Sequence, residues 1–222
     1  MNSASHHDTP SIQALEALFR NYNDESVLVS GELISLFKED YRITQKLTAF
    51  DSFFVKNPDY KELEEYIFDL LIASHLHEMG DDEDYMKGRE WQDIEDQTME
   101  RGTELLSILH YLSEAGENDV EISLDDFLHE FMLVDDDEFQ DAHQIYEPLI
   151  MHPELVFESG EDILAASRAI ECNDELKDLL LPLLLMFNDI HSFQSGLLPA
   201  MKPIERALYA TLMAYAGKSI VE

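Results

Sequence analysis

Glu62 and Glu65 stand three residues apart and are followed, after 24 intervening residues, by Glu90 and Asp93, again three apart. On helices that spacing sets both members of each pair on one face. Four carboxylates meeting between two helices hold Mg2+ or Mn2+, hard cations that take oxygen ligands and bridge phosphate groups. A second group, Glu117, Asp119 and Glu121, alternates along a loop and leads to Asp126. The third and densest run is Asp135, Asp136, Asp137 and Glu138, with Asp141 one turn further. These last residues suit two tasks. They attract a cation or a basic partner, or they fill the first turn of a helix carrying Phe139, Ala142, Ile145 and Leu149, where carboxylates satisfy unpaired amides and oppose the helix dipole.

The set Glu62, Glu65, Glu90 and Asp93 is similar to the E-x-x-E, E-x-x-D pattern of all-helical nucleotide pyrophosphohydrolases, and the resemblance implies a metal-dependent phosphohydrolase using Mg or Mn. In a chain with 48 Asp and Glu residues such a double pair arises by chance on the order of 0.5 times. A net charge of -34 also opposes an anionic nucleotide. This reading is therefore the alternative. The stretch ENDVEISLDDF resembles the end of an EF-hand loop, but Ala115 stands where the first carboxylate belongs and Val120 where the turn needs Gly. A solvated loop followed by a helix cap is the expectation there. His77, Glu78 and Gly80 resemble the metal-binding turn of HD-type phosphohydrolases, yet no His between Asp8 and Ser74 supplies the earlier ligand. No G-x-S-x-G or P-loop is present, and Cys172, the single cysteine, has no base near it in sequence.

Charge placement is the strongest signal. The 66 residues from Gly102 to Ser167 contain 18 Asp and Glu and no Lys or Arg. Such a field repels nucleic acid and anionic membranes and draws in basic proteins. The expectation is a non-enzymatic acidic interaction protein, without a cofactor, that binds a basic or nucleic-acid-binding protein as inhibitor, immunity factor, chaperone or partial nucleic-acid mimic. Its acidic face comprises Glu117, Asp119, Glu121, Asp135, Asp136, Asp137, Glu138 and Asp141, and Tyr85, Trp91, Phe139 and Tyr146 are candidate anchors. A total of 14 Lys and Arg against 48 acids also suits adaptation to high salt.

The elements that must carry these groups read as helices. Hydrophobic residues are 45% of the chain, enough for a core despite the charge. Thr9 and Pro10 open a helix with the stripe Ile12, Leu15, Phe19 and Tyr22. Ile43, Leu47, Phe50 and Phe54 form a second stripe. Asn57 and Pro58 precede a third, Tyr60, Leu63, Ile67, Leu70, Leu71 and Ser74. Trp91 to Leu112 reads as a long helix open to a break at Gly102. Ser123 with Asp126 and Ser159 with Asp162 have capping-box spacing. Asp174 opens a helix apolar on all sides through Phe187, and Pro203 opens the last one, with Ile204, Leu208, Leu212 and Tyr215 inward and Gly217 as the stop. Only Val27 to Val29 hints at a strand.

These elements predict an all-α fold: one domain over 9–217 with about 8–10 helices, a buried apolar helix near its C-terminal end, a flexible start over 1–8, and a weak sub-boundary near 153–160. The longest apolar run, LLLPLLLMF, is nine residues against roughly 20 for a membrane span. Together with a polar Met1 to Pro10 and an unpaired cysteine, this points to a soluble, cytoplasmic protein. Residues 176–222 hold four acids and four bases, so this neutral region is expected as core, homo-oligomer contact or partner surface.

Overall fold

The computed structural model describes residues 9–23, 25–39, 41–79, 87–131, 136–188, 190 and 193–218, with the backbone alone at 26, 90, 97–100, 131 and 136–141. The expected start over 1–8 lies outside the described residues. Among the described residues the chain is all-α, with helices and no strand.

The centre of the fold is α1 (Thr9–Tyr22) against the last helix, Pro203–Tyr215, which makes the most extensive packing in the molecule. Small residues permit it: Ala17, Ala210 and Ala214 form their own buried contact, flanked by buried Ala14 and Ala207. Helix separation depends on the side chains between the axes, so alanines bring the two backbones close. Arg206 then locks the pair, donating from Nε to the Asn21 carbonyl at 2.6 Å and from Nη2 to the Tyr22 carbonyl at 3.0 Å, which satisfies the open end of α1. After Tyr215, Gly217 takes φ +69° and the Lys218 amide returns to the Met213 carbonyl at 2.9 Å, as expected for a glycine stop.

Between these ends run α2 (Ser26–Lys38), α3 (Ile43–Lys56), a 3-10 turn over Pro58–Leu63 and α4 (Glu64–Met79). Val27–Val29, the one strand hint, belongs to α2. Ser30, Leu33 and Phe37 bury on the core at helical spacing, and that burial outweighs the β preference of two valines. The anticipated break at Gly102 is real: α5 (Arg89–Arg101) and α6 (Glu104–Glu117) are separate helices. Thr103 caps α6, accepting the Leu105 amide at 3.1 Å.

Next come α7 (Leu124–Phe131), α8 (Asp136–Met151), a 3-10 turn over Pro153–Phe157 and α9 (Gly160–Ser167). Both predicted serine caps form: Ser123 Oγ accepts the Asp126 amide and Ser159 Oγ accepts the Asp162 amide, each at 3.2 Å. The predicted apolar helix is α10 (Leu180–Asn188), buried at every position from Leu180 to Phe187. It starts later than Asp174. Asn173 accepts the Leu176 amide at 3.0 Å and donates to the Gln144 and Ile145 carbonyls, holding residues 174–179 as turns against α8. A last 3-10 turn, Ser195–Ala200, leads to α11 (Pro203–Tyr215).

Among the described residues one core receives buried residues from every α-helix, including Leu149 and Ile163 on either side of the expected sub-boundary. The neutral C-terminal region is spent there. One side of α11 meets α1, the other meets α10, and nearly every residue from Ile204 to Tyr215 is buried. Core is thus the use the structure shows for α10 and α11, whereas the turn between them, Ser195–Ala200, has no buried residue. Among the described residues no helix is long and apolar enough to cross a membrane.

Candidate partner-binding face

Several of the few cations hold helices together. Arg101, at the end of α5, donates to Asp51 Oδ1 at 2.9 Å and Glu64 Oε1 at 3.1 Å, and its guanidinium lies 5.3 Å and 4.8 Å from the ring centroids of Phe50 and Phe68. Lys61 pairs with the same Glu64. Buried Lys46 donates to the Phe37 carbonyl at 3.3 Å and stands 3.9 Å from Glu78. Burial first, and Lys46 second, lower the pKa of His75 to about 4, so this imidazole is neutral near pH 7.

Arg168 binds both oxygens of Glu205, a side chain only 1% exposed, and Lys202 adds its Nζ at 3.2 Å. Burial by itself raises the Glu205 carboxyl, but the hydrogen bonds from Arg168 and the Lys202 amide outweigh it and hold the group below its ordinary range. Replacing Arg168 with Ala leaves that carboxylate short of donors and is expected to destabilise the fold by about 2 kcal/mol near neutral pH. The sign with pH follows from the depressed pKa. The contribution is present above the unfolded-state pKa and lost as pH falls through the folded one, so the native chain and the Arg168→Ala variant converge in acid. Urea titrations at neutral and acid pH measure this, and a constant difference between them rejects it.

The predicted acidic groups separate in space. Glu117, Asp119 and Glu121 are exposed around the end of α6. Asp119 takes φ +54°, a left-handed conformation that Asp tolerates, while the Val120 amide reaches back to the Ala115 carbonyl at 2.9 Å. Tyr111 fastens the loop from below: its hydroxyl accepts the Ser123 amide at 3.1 Å and stands 3.3 Å from Asp126 Oδ2. Asp135 lies outside the described residues. Asp136, Asp137 and Glu138 form the first turn of α8 and Asp141 the next, with backbone alone described. Phe127 of α7 meets Tyr146 at 5.4 Å between centroids, about 15 Å along α8 from Asp136 at 1.5 Å per residue. The two acidic groups therefore sit at opposite ends of the α7–α8 pair.

The alternative set is carried by three elements. Glu62 lies in the 3-10 turn before α4 and accepts the Tyr22 hydroxyl at 2.7 Å, with Glu65 one turn on. The Arg101–Glu64 bond brings the last residue of α5 to this end of α4, so Asp93, eight residues earlier, is about 12 Å back along α5. At Glu90 only the backbone is described. Among the described residues no group of three or more His, Cys, Asp or Glu is placed to hold a metal ion.

Tyr146 is not available as an anchor. It is 2% exposed and its hydroxyl donates to Glu104 Oε2 inside the protein. Trp91 is partly buried against the core, the Phe139 side chain is not described, and Tyr85 and Gly80 lie outside the described residues. Burial, followed by Glu175 and Asp178, pushes the Cys172 thiol up to about 11, which disfavours the thiolate at neutral pH.

Sequence reading missed a groove of about 510 Å³ between the end of α8, the 3-10 turn over Pro153–Phe157 and the residues closing α9. Pro148, Met151, Leu155, Ala166 and Ile170 supply apolar walls, and Glu147 and Glu171 stand at the rim. Met151 is 63% exposed. Its two walls are some twenty residues apart, so no local periodicity announces it. Most of this lining belongs to the stretch that contains no Lys or Arg.

No protein-family model, curated protein or solved structure matches the chain.

Proposed function

We propose that the chain is a non-enzymatic interaction protein whose acidic surface engages a basic partner, itself a nucleic-acid-binding protein or another basic protein, in the cytoplasm. One observation carries the reading: the 66-residue stretch with 18 acids and no Lys or Arg contains the whole of α6, α7, α8 and α9. The two arginines that flank it are paired with carboxylates outside it, Arg101 with Asp51 and Glu64 and Arg168 with Glu205. The negative field over this stretch is therefore not cancelled from within. It raises the association rate with a basic surface by roughly 10- to 1,000-fold, whereas apolar anchors supply most of the lasting affinity. Nucleic acid itself is repelled.

Inhibitor, immunity factor, chaperone and partial nucleic-acid mimic all fit this physics. Imitation of a whole duplex does not. An accessible area of 12431 Å² carrying a net charge of -34 gives roughly one charge per 370 Å², against roughly one per 100 Å² on duplex DNA. The test is affinity capture from a native lysate at low salt, eluted with a salt gradient, with magnesium added in parallel. Recovery of one basic protein in stoichiometric amount, eluting at a defined salt concentration with or without magnesium, is expected. Recovery of only diffuse, salt-labile background removes the reading and makes the charge a solvation feature.

A further inference from the structure

We infer that the groove between α8 and α9 is the docking site for a basic amphipathic segment of the partner, one that places an apolar side chain between Pro148, Leu155 and Ile170 and sets Lys or Arg against Glu147 and Glu171. The inference rests on the acidic-interaction reading above and adds the place and the chemistry of contact.

Three observations select this occupant. The groove holds about 510 Å³, within the range of cavities that bury a ligand group, and its walls are apolar, so solvated charge alone does not fill it. Met151 at its edge is largely exposed, and an unbranched, polarisable side chain adapts to more than one apolar shape. Both carboxylates among its lining residues, Glu147 and Glu171, are exposed, and the lining includes no Lys or Arg. Of the cations nearest in sequence, Arg168 binds Glu205 and Lys177 pairs with Asp174 at 3.1 Å. His152 lines the groove with Nδ1 3.6 Å from Glu154. An acidic segment is therefore repelled, a purely apolar one gains nothing from the rim, and a basic amphipathic one matches both parts. The apolar contact sets the dissociation rate and the rim carboxylates set the association rate and its salt dependence.

The probe is a fluorescein-labelled peptide of about 18 residues with Leu at helical spacing and Lys between, compared by anisotropy with a scrambled peptide of the same composition. Ala169→Trp fills the groove from an exposed position, Glu147→Gln with Glu171→Gln removes the rim charge, and Glu16→Gln with Asp59→Asn removes equal charge from exposed positions outside the acidic face. Urea melts confirm that each variant is folded. The amphipathic peptide is expected to bind at least about tenfold more tightly than the scrambled one, and to lose about tenfold with Ala169→Trp and less than about twofold with the remote pair. The rim pair is expected to slow association. Equal binding of both peptides, unchanged by Ala169→Trp, overturns the groove and leaves the acidic-interaction reading standing. Absence of binding by either peptide at low salt overturns both.

Discussion

Replacing Phe127 with Ala lowers the free energy of unfolding by about 3–5 kcal/mol. Phe127 is 0% exposed, and its ring meets Tyr111, Tyr146 and Phe187 at centroid distances of 5.3, 5.4 and 5.6 Å. One side chain thus joins α7 to α6, α8 and α10. Removing it forfeits the burial of a large apolar group, three ring contacts each worth about 0.5–1.5 kcal/mol, and the filled volume between four helices that cannot all collapse inward. The effect reaches further than a cavity. Helix α7 has eight residues, too few to persist alone in water, so its helicity depends on this anchor. Phe157→Ala is the matched control. That ring is 87% exposed, and its loss is expected to change stability by no more than about 0.5 kcal/mol. Denaturant titrations followed by circular dichroism measure both, and a loss below about 1 kcal/mol for Phe127→Ala refutes the anchor.

Asp69→Ala comes second, at about 2–4 kcal/mol. Asp69 is 0% exposed on α4, and its oxygens accept the Thr103 amide at 3.1 and 3.3 Å and the Thr103 hydroxyl. Thr103 in turn caps α6, so this carboxyl positions the start of one helix from the side of another. Alanine leaves a buried amide without its partner and a void beside it. Burial drives the pKa of Asp69 well above 3.8, and the bonds from Thr103 oppose this only in part. A raised folded-state pKa means that the folded form holds the proton more tightly. The resulting stability is complete below the unfolded value and declines as pH rises toward the folded one. Asp69→Asn keeps an acceptor for the Thr103 amide and has no proton to lose. Its stability relative to the native chain is expected to rise between pH 4 and pH 8, and parallel pH profiles of the two proteins reject a buried, raised carboxyl.

Much of the fold is legible because helical periodicity and capping are local. The stripes on α1, α3 and α4 bury largely as their spacing indicates, α1 begins at Thr9-Pro10, and Ser123, Ser159 and Gly217 mark helix ends where a hydroxyl or a left-handed residue serves the backbone. Reading failed where distant partners intervene. Val27–Val29 is helical because α2 is held by its burial, and residues 174–179 form turns because Asn173 is tied to α8. The role of Asp69 was invisible, since one more Asp among 48 acids carries no mark of its neighbour Thr103. Tyr146 read as an anchor because its aromatic chemistry suits an interface, whereas its contact with Phe127 and Glu104 places it inside.

By itself the sequence determined the helical class, the acidic field and the poverty of cations, because periodicity and charge are properties of single residues and near neighbours. Tertiary structure alone decided that α10 and α11 of the neutral C-terminal region are core, that Arg101, Arg168 and Arg206 serve as ties, that the acidic groups lie at opposite ends of the α7–α8 pair, and that residues 147–155 meet 166–171 around an apolar groove. Each of those depends on which surfaces face one another, and that is set by packing every apolar stripe into one core under the constraint of chain connection.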